Sequence, residues 1–439
     1  MNRREFLRRA VPATVLPFSV EGMRLTAFGS AHALAANPGA GAALDRVLVL
    51  VQLSGGNDGL NTVIPLDQYS AYYNLRKGIA LPEARITRLT SATGLHPAAT
   101  GMKTLYDSGK LCVVQGVTYP NPNFSHFRAT DIWLTASDYN RYFSSGWVGR
   151  YLDYEFPGYP ADYPNDWMQD PPAIQIGSVV SLSFQGPSQS MAIAIQDPAA
   201  FYQLVSGSSS GGQDEPPDTP AGSELSYVRE VAFQSVQYAG RVKMAADRAQ
   251  NKSTLYPPAG QNTLADQFKI VARLIAGGLK TRTYLVGMGG FDNHSNQVAA
   301  GDTTTGTHAN LLGRLSAAMM AFQDDLEILG CDHRVVAMTF SEFGRRATSN
   351  SSLGTDHGTA APVFLMGRLV RGGIVGANPN LTDLSNGNLK MQFDFRSVYA
   401  SVMSQWYGVD SSEMRIALAG DFQPLDLIHV PPMSSRRRP

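Results

Sequence analysis

Four times along this chain an unbroken apolar run of strand length stops at a cluster of small and polar residues. Residues 46–53 (RVLVLVQL) end in Ser54-Gly55-Gly56-Asn57-Asp58-Gly59, and residues 111–117 (LCVVQGV) lead into a polar loop over 119–128. Residues 283–288 (TYLVGM) end in Gly289-Gly290-Phe291-Asp292-Asn293-His294, and residues 334–339 (RVVAMT) end in Phe340-Ser341-Glu342-Phe343-Gly344-Arg345-Arg346. A shorter apolar run covers 362–366. A strand without apolar–polar alternation is buried on both faces, so helices must cover both sides of its sheet. Helical spacing over 98–108, 225–251, 264–279, 309–329 and 395–407 supplies them. Strands alternating with helices predict an α/β fold with a mostly parallel central sheet, binding its ligand at the carboxyl ends of the strands.

The pattern fades over 137–203, which is rich in aromatic residues and proline and reads as an insertion or cap over the sheet edge. Residues 206–223, rich in Gly, Ser, Pro and Asp, read as a surface loop. The expected organisation is a leader over 1–35, one α/β domain over 44–430 with an insertion at about 137–223, and a basic tail over 431–439. The leader begins Asn2-Arg3-Arg4-Glu5-Phe6-Leu7, followed by a weakly apolar stretch broken by Pro12, Pro17, Glu21 and Arg24. That is a twin-arginine export signal rather than a spanning helix, which needs about 20 apolar residues. Cleavage fits after Ala33 or Ala35, leaving no stable membrane span. The expected partner is the twin-arginine machinery, and the expected destination is the periplasm or the exterior.

Lys+Arg and Asp+Glu both number 36, so nothing argues for nucleic acid as a partner. Cys112 and Cys331 are the two cysteines; their pairing is left open. Gly207-Ser208-Ser209-Ser210-Gly211 matches a nucleophile elbow in letters alone, lacking the strand before it and the helix after it. Phosphate-loop, dinucleotide and HExxH patterns are absent.

The chemistry-bearing residues gather after the strands: Asn57 and Asp58, Ser125 and His126, Asp292 and His294, Glu342 and Arg345, then Asp356 and His357, with His308 opening a helix. Imidazoles and carboxylates converging from several loops suit a divalent metal, and an adjacent guanidinium suits a tetrahedral anion. Each has a plainer reading: Gly56-Asn57-Asp58-Gly59 is also a tight turn, and Asp292-Asn293-His294 is also a cap.

The strings VQLSGGNDGLNTVIP, VVQGVTYPNPNFSHFRATDIW, GGFDNHSNQ and TFSEFGRRATSNSSLGTDHGTAAPVFLMG resemble a large family of exported bacterial proteins of unknown function, grouped with the alkaline-phosphatase and sulfatase superfamily. The resemblance implies an alkaline-phosphatase/sulfatase-like fold and zinc, manganese or calcium as one or two ions or none. Asn57, Asp58, Asp292, His294, His308, Glu342, Asp356 and His357 are the candidate metal residues. Ser125, His126 and Arg345 are the candidate catalytic ones. The implied substrate is a small anionic phosphate or sulfate ester or a sugar-derived molecule. Phe343 stands where the superfamily carries a ligand histidine, so a non-catalytic binding or assembly protein on the same fold is the rival expectation. A metal-free hydrolase using Ser125 and His126 is the third.

Overall fold

The computed structural model describes residues 15–20, 23–28, 45–205 and 219–430, which fall into two units, Met1–Asp45 and Arg46–Pro439. In the first, Val15–Val20 and Met23–Phe28 pair antiparallel. The Arg3-Arg4 pair, the cleavage region at 31–35, the 207–211 string and the 431–439 tail lie outside the described residues.

The second unit is built on a nine-stranded sheet. Its strands are β1 (Val47–Leu53), β2 (Leu111–Thr118), β3 (Ala173–Ile176), β4 (Ala192–Ile195), β5 (Thr283–Met288), β6 (Val335–Phe340), β7 (Ala361–Met366), β8 (Gly373–Val375) and β9 (Phe393–Asp394). The order is β8-β2-β7-β6-β1-β5-β3-β4, with β9 also pairing β2. β1 is central, with Leu50 opposite Leu285 of β5 and Val49 opposite Ala337 of β6 in parallel register. Its apolar run is explained by that position, since helices cover both faces and every residue but Gln52 is buried.

Those helices are α1 (Thr100–Asp107), α2 (His126–Thr135), α3 (Trp147–Glu155), α4 (Pro220–Arg248), α5 (Thr263–Ala276), α6 (Thr307–Ile328) and α7 (Phe395–Ser401). α6 buries Leu312, Leu315, Met319, Phe322 and Leu326, a stripe at three- and four-residue spacing. Phe322 stacks on Phe268 of α5 with ring centroids 4.3 Å apart. The fold is thus mixed α/β with a mostly parallel sheet flanked by helices.

Three features depart from the sequence reading. β7 runs antiparallel to both β6 and β2, so its amino end, not its carboxyl end, lies beside the carboxyl ends of β1, β2, β5 and β6. The region expected as a cap instead extends the sheet, with β3 parallel to β5 and β4 parallel to β3. α4 begins at Pro220 rather than Leu225, because the Thr219 hydroxyl accepts from the Gly222 N–H at 3.1 Å and proline suits the first helical position. Cys112 and Cys331 are both free and buried, and burial pushes their thiols up to about 12 and about 11. Among the described residues no helix is long and apolar enough to cross a membrane.

Candidate metal centre

The carboxyl-end loops of β1, β2, β5 and β6 meet the loop entering β7 because two glycines allow close backbone approach. Gly55 has φ +120°, and a Cβ there would lie 2.3 Å from the Asp292 backbone nitrogen. Gly56 has φ +79°, and a Cβ there would lie 2.5 Å from the Phe343 ring. Neither space nor backbone conformation admits a side chain. Phe291 donates its N–H to the Ser54 carbonyl at 3.2 Å, joining the first loop to that after β5. Residues 344–346 and 356–359 form a short antiparallel ribbon, with Gly344 N–H to Thr359 O at 2.7 Å and Arg346 N–H to Asp356 O at 3.0 Å. That ribbon carries His357 back to the loop after β6.

His126, Asp292 and His357 come together there, each offering a ligand atom within 4.8 Å of the others. His126 Nε2 is 3.5 Å from Asp292 Oδ2, and His357 Nε2 is 3.4 Å from Asp292 Oδ1. The atom of each side chain that faces away is already engaged. His126 Nδ1 lies 2.8 Å from Glu342 Oε1, and His357 Nδ1 lies 2.8 Å from the Phe124 carbonyl. A carboxylate and a carbonyl can only accept, which places a proton on Nδ1 in both rings and leaves Nε2 as the atom through which each ring would ligate. Asp292 Oδ1 accepts from Arg345 Nη2 at 2.6 Å and lies 2.8 Å from His294 Nδ1, so Oδ2 is its less committed oxygen. Partial burial pushes the Asp292 carboxyl up, but the Arg345 hydrogen bond and charge, helped by His294 and His126, hold it below the usual carboxylate range. Burial lowers His357, the Phe124 carbonyl opposes this, and nearby Arg345 adds to the lowering, so the ring is neutral at pH 7. Two imidazoles and one ionised carboxylate, on the same partly exposed surface, form a donor set that fits a divalent cation with open positions.

The other expected residues take different places. Glu342 is only 4 % exposed; it also accepts the Gly55 N–H at 2.8 Å, so it steers His126 from behind rather than facing the opening. Arg345 is a correction to the expectation of an anion donor. Its guanidinium is fully buried and is spent on the carbonyls of Gly55, Gly56, Phe291 and Thr355 and on Asp292. It orients Asp292 and fastens three loops. Asp58 is likewise turned inward, with Arg76 Nη1 at 2.5 Å and Gln297 Nε2 at 2.6 Å. Burial raises its carboxyl, and the Arg76 and His308 charges bring it below the ordinary value. Asn57 Oδ1 faces His308 Nε2 at 3.0 Å, and burial drives the His308 imidazole down to about 4. Asn57, Asp58 and His308 therefore belong to a buried network that Arg76 neutralises. Sequence reading does not single out Arg76, since nothing in its spacing marks it. Asp356 is exposed and bonds Asn350 at 3.1 Å. Ser125 is exposed, and its hydroxyl does not cap α2, which it precedes. The Phe343 ring lies 4.9 Å from that of His126 and 4.5 Å from that of His357.

Structural comparison finds similarity to an alkaline phosphatase superfamily protein from Vibrio parahaemolyticus, at TM-score 0.39 and 10% identity, covering 87% of this chain and 70% of that one. A Pseudoalteromonas sp. sulfatase is similar at TM-score 0.36 and 9% identity, over 87% and 70% of the two chains. The lipoteichoic acid synthase LtaP of Listeria monocytogenes is similar at TM-score 0.35 and 10% identity, over 88% and 76%. Comparison with curated proteins gives no match. Residues 197–426 match the family described as protein of unknown function DUF1501, and as that is more than half of the chain, the protein belongs to the DUF1501 family.

Proposed function

We propose that this protein is a metal-dependent hydrolase of phosphate or sulfate esters, exported by the twin-arginine route to act outside the inner membrane. The observation that carries the reading is that His126, His357 and Asp292 bring a ligand atom each within 4.8 Å of one another while Glu342, the Phe124 carbonyl and Arg345 hold the three side chains from behind. Pre-oriented ligands of this kind are what a metal site requires of its surroundings. Two imidazoles and a carboxylate suit zinc or manganese better than calcium, which prefers an all-oxygen set. Such an ion, when bound, supplies Lewis acidity and lowers the pKa of coordinated water. Ser125 is the candidate nucleophile: its hydroxyl is exposed, adjoins His126 and is not spent on capping α2. The first turn of α2 adds N–H groups that favour an anion beside it. Export is supported by Arg3-Arg4 and the weak apolar stretch behind them.

Two observations favour the second reading, a binding or assembly protein without catalysis. The Arg345 guanidinium is fully buried and does not face a substrate anion, and Phe343 packs an apolar ring against both histidines. Elemental analysis of the chain purified without chelator or metal-affinity tag separates the two. About one zinc or manganese per chain, lost in His357→Ala and Asp292→Ala, together with turnover of a phosphate or sulfate ester, supports the hydrolase. No metal after incubation with each ion moves the assignment to the binding role.

A further inference from the structure

Among the described residues nine Phe, Tyr and Trp side chains are exposed, and four of them, Phe124, Phe127, Tyr139 and Tyr142, fall within the short stretch 124–142. The two most exposed are Phe127, at 86%, and Tyr142, at 76%. Both belong to the surroundings of one turn, the first of α2, which also carries His126. Phe127 follows His126 directly, and the Tyr142 ring lies over the Arg128 guanidinium at 4.0 Å. Arg128 itself is buried, and its Nη2 donates to the carbonyls of Asp138 at 2.9 Å, Tyr139 at 3.2 Å and Arg141 at 2.5 Å. The cation thus folds the 138–142 segment around the helix start and holds one face of Tyr142, while leaving the rest of that ring open. On the other side of His126, Phe124 is 43% exposed, and its carbonyl is the group that fixes His357.

Leaving these rings in water forgoes the stabilisation that burial brings, and a folded chain keeps such groups in contiguous patches mainly where something binds. Their chemistry narrows the occupant. The residues named join aromatic faces to the exposed polar side chain of Ser125, and no aliphatic side chain is among them. The charge of Arg128 is already taken by carbonyls, so it is not offered to an anionic headgroup. Flat aromatic faces beside hydrogen-bonding groups match a pyranose ring, whose C–H face is apolar and whose rim carries hydroxyls.

We infer that Phe127 and Tyr142 form a stacking platform for the sugar ring of an anionic carbohydrate whose ester group reaches the His126–Asp292–His357 cluster. The inference rests on the proposed hydrolase reading for the anion end of the ligand, and on the two rings alone for the sugar end.

Affinity electrophoresis of the full chain tests the platform without requiring turnover. Native gels are cast with dextran sulfate, with neutral dextran, or with polyvinyl sulfate, which has the anion and no sugar. Dextran sulfate is expected to retard the protein at concentrations roughly tenfold below those polyvinyl sulfate requires, a ratio typical of one or two aromatic contacts. The Phe127→Ala/Tyr142→Ala variant should lose that advantage, and the weaker retardation by dextran, while keeping the metal content and melting temperature of the parent. Equal retardation by the two sulfated polymers, or a double variant that migrates like the parent, overturns the inference. So does loss of binding to phosphatidylglycerol vesicles in the double variant with dextran sulfate retardation unchanged, which assigns the patch to a membrane surface. Failure of the hydrolase reading shows separately, as absent metal and absent turnover, and leaves the dextran comparison to decide the platform.

Discussion

Glu342 offers the sharpest test of how the cluster is built, because its two substitutions separate charge from geometry. Its Oε1 accepts from both the Gly55 N–H and His126 Nδ1 at 2.8 Å, while Oε2 lies 3.3 Å from the Ser341 hydroxyl. In Glu342→Gln the amide oxygen can occupy the Oε1 position and keep both bonds, with the amide nitrogen against Ser341. Only the negative charge behind the imidazole is then lost, so zinc affinity should fall modestly, by about threefold to tenfold. Glu342→Ala removes the acceptor itself. His126 is freed to rotate or to move its proton to Nε2, and the Gly55 N–H loses its partner. Loss of such a supporting hydrogen bond costs roughly 10- to 100-fold in metal affinity, or about 1.4 to 2.7 kcal/mol. Competition against a chromogenic zinc chelator at pH 7.5 reads both values, with circular dichroism melting to show that the chain still folds. The expected order is parent, then Gln, then Ala. An Ala variant that binds zinc as tightly as the parent, with an unchanged fold, would falsify the claim that Glu342 orients His126.

Other positions give independent checks. Arg345→Ala leaves the carbonyls of Gly55, Gly56 and Thr355 without their donor in the interior and frees the exposed Asp292 carboxylate, and should cost about 2–3 kcal/mol by urea unfolding; a loss under about 1 kcal/mol refutes the clamp. Gly55→Ala forces a Cβ onto the Asp292 backbone at 2.3 Å with φ at +120°, so stability should fall by about 1–3 kcal/mol or more, with metal affinity falling alongside. His308 gives a pH signature. Its folded imidazole titrates near 4, below the roughly 6.5 of an unfolded histidine, so the unfolded chain binds the extra proton first. Stability from this group is therefore complete above about pH 6.5 and declines as pH falls toward 4, by about 3 kcal/mol in all. His308→Gln, which can still donate to Asn57, should flatten the melting temperature between pH 6.5 and 4; an unaltered slope rejects the assignment.

Long apolar runs made the central strands legible, because β1, β2, β5 and β6 are buried on both faces and carry few polar residues. The short strands were not legible. β3 and β4 are four residues each within a stretch dominated by proline and aromatic residues, and they are strands because β5 offers β3 a ladder and β3 in turn offers one to β4. The start of α4 was hidden for a similar reason, since Thr219-Pro220 is a helix start written in residues that usually mark a loop. At the site, the residue types after each strand were visible, but the direction in which they point was not. Asp58 and Asp292 both follow apolar strands; one meets Arg76 in the interior and the other faces the opening.

That divergence explains why ligand residues can be nominated from sequence while their supports cannot. His126 and Glu342 lie 216 positions apart, and no spacing rule links them; the link exists because β2 and β6 both run toward the same sheet edge, on either side of the reversed β7. The reversal also accounts for His357, which precedes its strand where the other two cluster residues follow theirs. Had β7 run parallel to its neighbours, the residues before it would sit at the opposite edge of the sheet, about 20 Å away at the rise of an extended six-residue strand. Strand direction, rather than the presence of a histidine, is what makes a third ligand available. The engaged Nδ1 atoms then distinguish the cluster from a chance meeting of polar side chains on a surface. Unsupported imidazoles of that exposure would turn toward water, whereas both rings here are fixed by acceptors belonging to the loops that bring them together.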